Sequence, residues 1–316
     1  LRFSLTFSIV TVVVLLNVED YSLSRGEKAR DLAAKLSKSG FQASELGRAI
    51  ELMREMRADK DCTIFLAFTA NLVASGLRGV IAQAVREGLA DAVITTGGAI
   101  DHDLIKSHKP YLQGDFFADD AALHKRGVNR LGNILVPNDR YVLLEKKIQP
   151  LLEKAYRKNK VVSPKGFIEL VAGTLRDKNS FLRACRDRKV PVFSPSLIDS
   201  AIGLQFFMFK QDHGDLALDE TGDMLELGRL VLQSKRTGAV ILGGGAAKHF
   251  TIGANILKEG LDYAVYFTTA TPFDGSLSGA VTNEAKSWGK IAPKAKHVTV
   301  FGDATILFPL ALSAVL

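Results

Sequence analysis

Residues 238–245 read GAVILGGG. A continuous apolar run of strand length, rich in β-branched residues, breaks into three consecutive glycines. A strand that is apolar at every position has both faces covered, which is the environment of a parallel sheet with helices on either side. The same pattern recurs in both directions along the chain: CTIFLAF (62–68), ADAVITTGG (90–98), GNILVP (132–137), KVPVFSP (189–195), DYAVYFTT (262–269) and HVTVFGD (297–303). Between the runs the apolar spacing returns to the helical period, as in GEKARDLAAKLSK (26–38), SELGRAIELMREMR (44–57, with Ser44 as a candidate N-cap) and GLRGVIAQAVRE (76–87). Alternation of this kind predicts an α/β fold, a doubly wound, mostly parallel Rossmann-like sheet with helical additions. The helical stretch 140–186 reads as one such addition. No repeat or low-complexity linker divides residues 21–316, so one domain is expected.

Composition narrows the function classes. At 47% hydrophobic and 24% charged, the 316 residues suit a globular chain, and no charge block marks extended disorder. The net charge of +7 favours anionic ligands. The basic residues are scattered and do not form a stripe with aromatics, so nucleic-acid binding is not expected. Two cysteines, Cys62 and Cys185, exclude a disulfide framework. No His/Cys spacing fits zinc, so no metal is expected and a reducing cytoplasm is. Residues 1–20 stand apart. The apolar run FSLTFSIVTVVVLL (3–16) is shorter than the ~20 residues of a comfortable span, and no A-x-A cleavage site follows it. It is expected to be a buried strand or sequence wrongly included upstream, dispensable for catalysis and no membrane anchor.

In an open α/β sheet ligands bind beyond the carboxyl ends of the strands, and several runs end there in Gly, Thr, Ser or Asp. Gly243-Gly244-Gly245 before a helix, and Thr95-Thr96-Gly97-Gly98 after the strand AVI, would let backbone N–H groups approach a pyrophosphate. A tight structural turn explains either one equally well; two in one chain favour a dinucleotide. Asp199 and Asp303 each follow a strand, and ribose contact or helix capping accounts for them equally. The segment FDGSLSGAVTNEAKSWGKI (273–291) holds the single Trp, Trp288, two residues before Lys290, with Glu284 upstream. Solvated surface lysines are the default there. A lysine held against an indole is partly desolvated, which makes its neutral amine available for Schiff-base chemistry. His249, beside the glycine turn, is either a general base or an ordinary helix histidine.

Nine blocks then tell together: TANLVASGLRG (69–79), TTGGAIDHDLIK (95–106), GNILVPN (132–138), VFSPSLIDS (192–200), ILGGGAAKH (241–249), DYAVYFTTA (262–270), FDGSLSGA (273–280), EAKSWGKI (284–291) and FGDATILFPL (301–310). In order and spacing they resemble deoxyhypusine synthase from about residue 27 onward, closer to its archaeal branch. The resemblance implies an NAD-dependent transferase that takes the aminobutyl group of spermidine onto Lys290 and delivers it to a lysine of the translation initiation factor 5A precursor. His249 matches the family's proposed base, and Trp288 and Glu284 match its polyamine pocket. Thr69, Asn71, Ser75, Thr96, Gly97, Asp103, Asp199, Gly243, Gly244, Thr269, Ala270, Asp274, Ser278 and Asp303 fall on its NAD-contacting blocks. A homotetramer with sites at subunit interfaces is implied as well. Leu204 and Leu277 stand where eukaryotic members carry acids that grip the polyamine, Gly253 stands for an Asn, and His102 replaces a glutamate and joins the substrate-binding set. A homospermidine synthase-type enzyme, passing the same group to a small amine, would share NAD, Lys290 and Trp288.

Overall fold

The computed structural model describes residues 17–316; the apolar run 3–16 lies outside them. Six strands form the main sheet: β1 (Cys62–Phe68), β2 (Ala92–Ile94), β3 (Val192–Phe193), β4 (Arg236–Leu242), β5 (Leu261–Thr268) and β6 (Ile291–Phe301). Their order is β6-β5-β4-β1-β2-β3, with every pairing parallel. Read from the other edge this is 3-2-1-4-5-6, the doubly wound order whose direction reverses between β1 and β4.

The strand sequences explain why both faces are covered. Side chains alternate, and each set enters a different core. Ile64, Leu66 and Phe68 of β1 join Val240, Leu242, Val265 and Phe267 on one face. Phe65 and Ala67 join Ala239, Ile241, Ala264 and Tyr266 on the other. The first face packs against helix Phe41–Ala58, through Ile50, Met53 and Met56, and against helix Ala304–Val315, through Phe308 and Leu312. The second is covered by helices Glu220–Gln233, Gly245–Ala254 and Thr282–Ser287. Cys62 and Cys185 are buried free thiols, with burial pushing Cys62 up to about 12. Among the described residues no helix is long and apolar enough to cross a membrane.

Two local expectations need correction. Residues 134–137 are not in the main sheet. Ile134–Pro137 pairs antiparallel with Val128–Leu131 and Leu112–Gln113 in a separate three-stranded sheet. The run is only four residues and mostly half-buried, and Pro137 ends it, so it cannot fill a place covered on both faces. Ser44 is not an N-cap either: the helix begins at Phe41, and the Ser44 hydroxyl donates to Phe41 O at 2.8 Å. The stretch 140–186 is indeed helical, as Asp139–Lys158, Pro164–Thr174 and Phe181–Arg188.

Candidate active site

The loops after the parallel strands meet at the carboxyl edge of the sheet, and the glycines decide how closely. Gly243 has φ +88°, a left-handed conformation that L side chains rarely adopt, and a Cβ there would fall 3.0 Å from Thr69 Oγ1. At Gly98 a Cβ would lie 3.1 Å from Ala70 Cβ, and at Gly97 it would lie 2.7 Å from Leu197 O and from Ser200. The turns after β1, β2, β3 and β4 are thus in mutual contact. Thr69, Asn71, Thr96, Gly97, Asp199, Gly243 and Gly244 come together here, with Thr269 and Ala270 following β5 at the same edge. Neither Thr96 nor Gly244 caps its helix with a side-chain bond. Helix starts at the β1/β4 reversal therefore keep first-turn N–H groups free of a capping side chain at their own N-cap residues, a donor set suited to a pyrophosphate.

Ser75 and Asp303 line a separate groove of about 680 Å³ at this edge, together with Lys106 and Tyr111. Asp303 is also an N-cap, accepting from Thr305 N at 2.8 Å, whereas the helix after Asp199 is capped by Ser200 and leaves Asp199 exposed. Asp103 does not belong with them. It is fully buried, and its carboxylate holds the Arg78 guanidinium, the Ser180 hydroxyl at 2.7 Å and Leu182 N at 2.9 Å. With no surface left for a ligand it ties three helices together, and its place in a cofactor set is withdrawn.

The segment 271–281 is clamped onto the glycine turn. Gly244 has no room for a side chain: a Cβ would meet Ser278 Cβ at 2.6 Å and Ser278 Cα at 2.7 Å. Gly245 N donates to Ser278 Oγ at 3.0 Å. From the next turn of that helix, the Lys248 ammonium donates to Ala280 O at 2.6 Å and Ser278 O at 3.3 Å. Asp274, further out, turns its own loop by accepting from Ser276 N at 2.8 Å.

Beneath the clamp lies a cavity of about 210 Å³ whose lining brings together Lys290, His249, Trp288 and Glu284. The backbone of Lys290 is fixed on both sides: its N–H donates to Ala285 O at 3.0 Å and its carbonyl accepts from Leu261 N at 3.1 Å. Its Nζ lies 5.1 Å from the Trp288 ring centroid, within cation–π range. Glu284 reaches the same space from helix Thr282–Ser287, and Leu277 forms part of the wall. One carboxylate therefore faces two lysines.

Lys248 and Tyr266 also line this cavity, and sequence reasoning passed over both. Lys248 is 1% exposed and sits 4.6 Å from the Tyr266 ring centroid. Burial pulls it down to about 8, partly offset by Glu284. The Tyr266 hydroxyl is buried with no partner among the described residues. The available signal was spacing: Lys248 shares a helix face with the buried Thr251 and Ile252.

His102 is not brought to this cavity within the chain. Its Nδ1 lies 2.8 Å from the Tyr111 hydroxyl, and burial, reinforced by Lys106, lowers it to about 4. Leu204 is also elsewhere, exposed on helix Ala201–Asp212.

Residues 31–315 match the family model described as deoxyhypusine synthase. A protein of Ignicoccus hospitalis named "Probable deoxyhypusine synthase" is 43% identical over 307 residues, covering 95% of each chain. One of the same name from Thermococcus onnurineus is 42% identical over 287 residues, covering 86% of each. Among solved structures, an Entamoeba histolytica protein titled for the same enzyme superposes with TM-score 0.68 at 20% identity, covering 94% of this chain and 96% of that one. At that identity the likeness shows the fold.

Proposed function

The chain belongs to the deoxyhypusine synthase family, and from that premise we propose that it is an NAD-dependent aminobutyltransferase acting from spermidine to one lysine of the translation initiation factor 5A precursor. The observation that carries the proposal is the single cavity in which Lys290, Trp288, Glu284 and His249 meet, directly below the clamped glycine turn.

NAD would be held by Thr69, Asn71, Thr96, Gly97, Asp199, Gly243, Gly244, Thr269 and Ala270, with Ser75 and Asp303 in the adjoining groove and Ser278 and Asp274 in the clamp. Bound there, it would accept a hydride from the carbon–nitrogen unit of the polyamine and return it to the imine formed on the acceptor lysine.

The protein's own groups do the rest. Glu284 accepts the terminal ammonium of the butyl arm, and the Trp288 face holds its cationic end. Lys290 Nζ, as the neutral amine, forms a C=N bond to the oxidised butyl carbon while the bond from that carbon to the diaminopropane nitrogen breaks. His249 takes the proton that Nζ releases and gives one to the departing amine. Attack by the acceptor lysine on the same carbon then frees Lys290 Nζ. Homotetrameric assembly in the cytoplasm, with His102 reaching the site of a neighbouring subunit, completes the proposal.

The test follows the label. Spermidine labelled in its butyl carbons, incubated with the protein, NAD and either the factor 5A precursor or putrescine, should label the precursor. Label in homospermidine alone would make the acceptor a small amine; label in neither would refute the proposal.

A further inference from the structure

Helix Gly245–Ala254 presents His249 to the Lys290 cavity and the next residue, Phe250, to a different one. This second cavity is also about 210 Å³ and shares no lining residue with the first. Phe193, Phe250 and Met224 provide apolar wall, with Pro164 and Pro195; Ser194, Glu220, Thr221 and Asp223 provide the polar groups. No Lys, Arg or His lines it. The nearby Lys165 ammonium is committed to Glu169 at 2.7 Å and Glu226 at 3.1 Å, and only its backbone N–H reaches Asp223, at 2.9 Å.

Ser194, at the carboxyl end of β3, is 2% exposed, and its hydroxyl has no partner among the described residues. A buried polar group left in that state is costly and calls for an occupant. The Ser194 oxygen can accept from an occupant, and with Asp223 buried, Glu220 at the rim and no basic side chain in the lining, a positively charged donor suits the polar half best. A hard metal ion takes six or more oxygen ligands and does not suit walls of phenyl rings and a thioether. An ammonium on a short carbon chain suits both halves, its charge toward the acids and its methylenes against the rings.

We propose that this cavity is a second binding site, for a small primary alkylamine, with the ammonium held by Ser194, Glu220 and Asp223 and the alkyl body against Phe193, Phe250 and Met224. The chemistry of the cavity stands alone; only the source of the amine rests on the proposed function, which consumes and releases molecules of this class. Because Phe250 and His249 are consecutive on one helix, an occupant here stiffens the element that carries the proposed base.

The probe is 1,3-diaminopropane, titrated calorimetrically into the full-length protein. Two binding events per chain are expected, of which Glu284→Gln, removing the carboxylate of the Lys290 cavity, abolishes one. Glu220→Gln and Ser194→Val should each weaken the retained event at least ten-fold and leave the rate of Lys290 adduct formation within two-fold. Glu220 is exposed, so its variant remains informative if Ser194→Val disturbs packing. One event only, or a second event unaffected by Glu220→Gln, overturns the proposal. Failure of the proposed function reads out separately, as absence of the Lys290 adduct whatever the amine stoichiometry.

Discussion

Replacing Lys248 by methionine keeps the length and most of the apolar volume of the side chain and removes only its donors. The ammonium spans from the glycine-turn helix to the clamp, with a strong bond to Ala280 O at 2.6 Å and a long one to Ser278 O at 3.3 Å. Orphaning a buried carbonyl costs about 1–3 kcal/mol, and the longer bond adds little. Against this stands the relief of the burial that holds the amine near 8. The net loss, about 1–2 kcal/mol, falls on the closed position of residues 271–281, a factor of roughly 5–30 in its population. Leu277, Ala280 and Val281 shape the cavity wall, and Ser278 holds the glycine turn. KM for spermidine and for NAD should therefore both rise by about that factor, with kcat little changed, and Lys248→Arg should recover part of the loss. Initial rates over both substrate concentrations decide it. Unchanged KM values with kcat reduced a thousand-fold would place Lys248 in the chemistry and refute the reasoning.

Three other perturbations have defined outcomes. Leu277→Asp adds a second carboxylate to a wall that now offers only Glu284, and a charge-assisted bond of about 1.5–3 kcal/mol should tighten spermidine binding roughly ten- to a hundred-fold; weaker binding would mean that the leucine is needed as apolar wall. Asp103→Asn removes one of the two carboxylates that hold the buried Arg78, Asp177 remaining at 2.7 Å, so denaturant unfolding should show a loss of about 1.5–3 kcal/mol, and an NAD affinity changed well beyond the stability effect would restore Asp103 to the cofactor set. His102, lowered from 6.5 to about 4 mainly by burial, is neutral in the fold where the unfolded chain would protonate it; its stabilising contribution is full above 6.5 and lost as pH falls toward 4. Asp101, raised to about 7 by burial, works in the opposite sense over the same range, so His102→Asn should raise stability at pH 4.5 relative to pH 7.5, as read from unfolding midpoints at the two values.

The parallel sheet was legible because the central stretches of β1, β4 and β5 (64–68, 239–242 and 264–267) are apolar at every position, a pattern that only two-sided burial rewards. Residues 134–137 looked alike in composition, but four residues are too few to distinguish a covered strand from one in a small hairpin sheet. The partnership of Lys290, Trp288, Glu284 and His249 was legible from motif and order, since three of the four lie within seven residues. Lys248 was hidden because a lysine reads as solvated unless its helix face is known to be inward. Asp103 misled for a related reason: a carboxylate after a strand-end turn looks the same in sequence whether it meets a ribose or, as here, a buried guanidinium from helix Arg78–Arg86.

The central claim is that Lys290 carries the aminobutyl group. Borohydride reduction of the protein with butyl-labelled spermidine and NAD, followed by peptide mapping, measures it directly. The account predicts one secondary amine adduct per chain at Lys290, and neither adduct nor turnover in Lys290→Ala. Label trapped on Lys248 or another lysine, or undiminished turnover in Lys290→Ala, would contradict it.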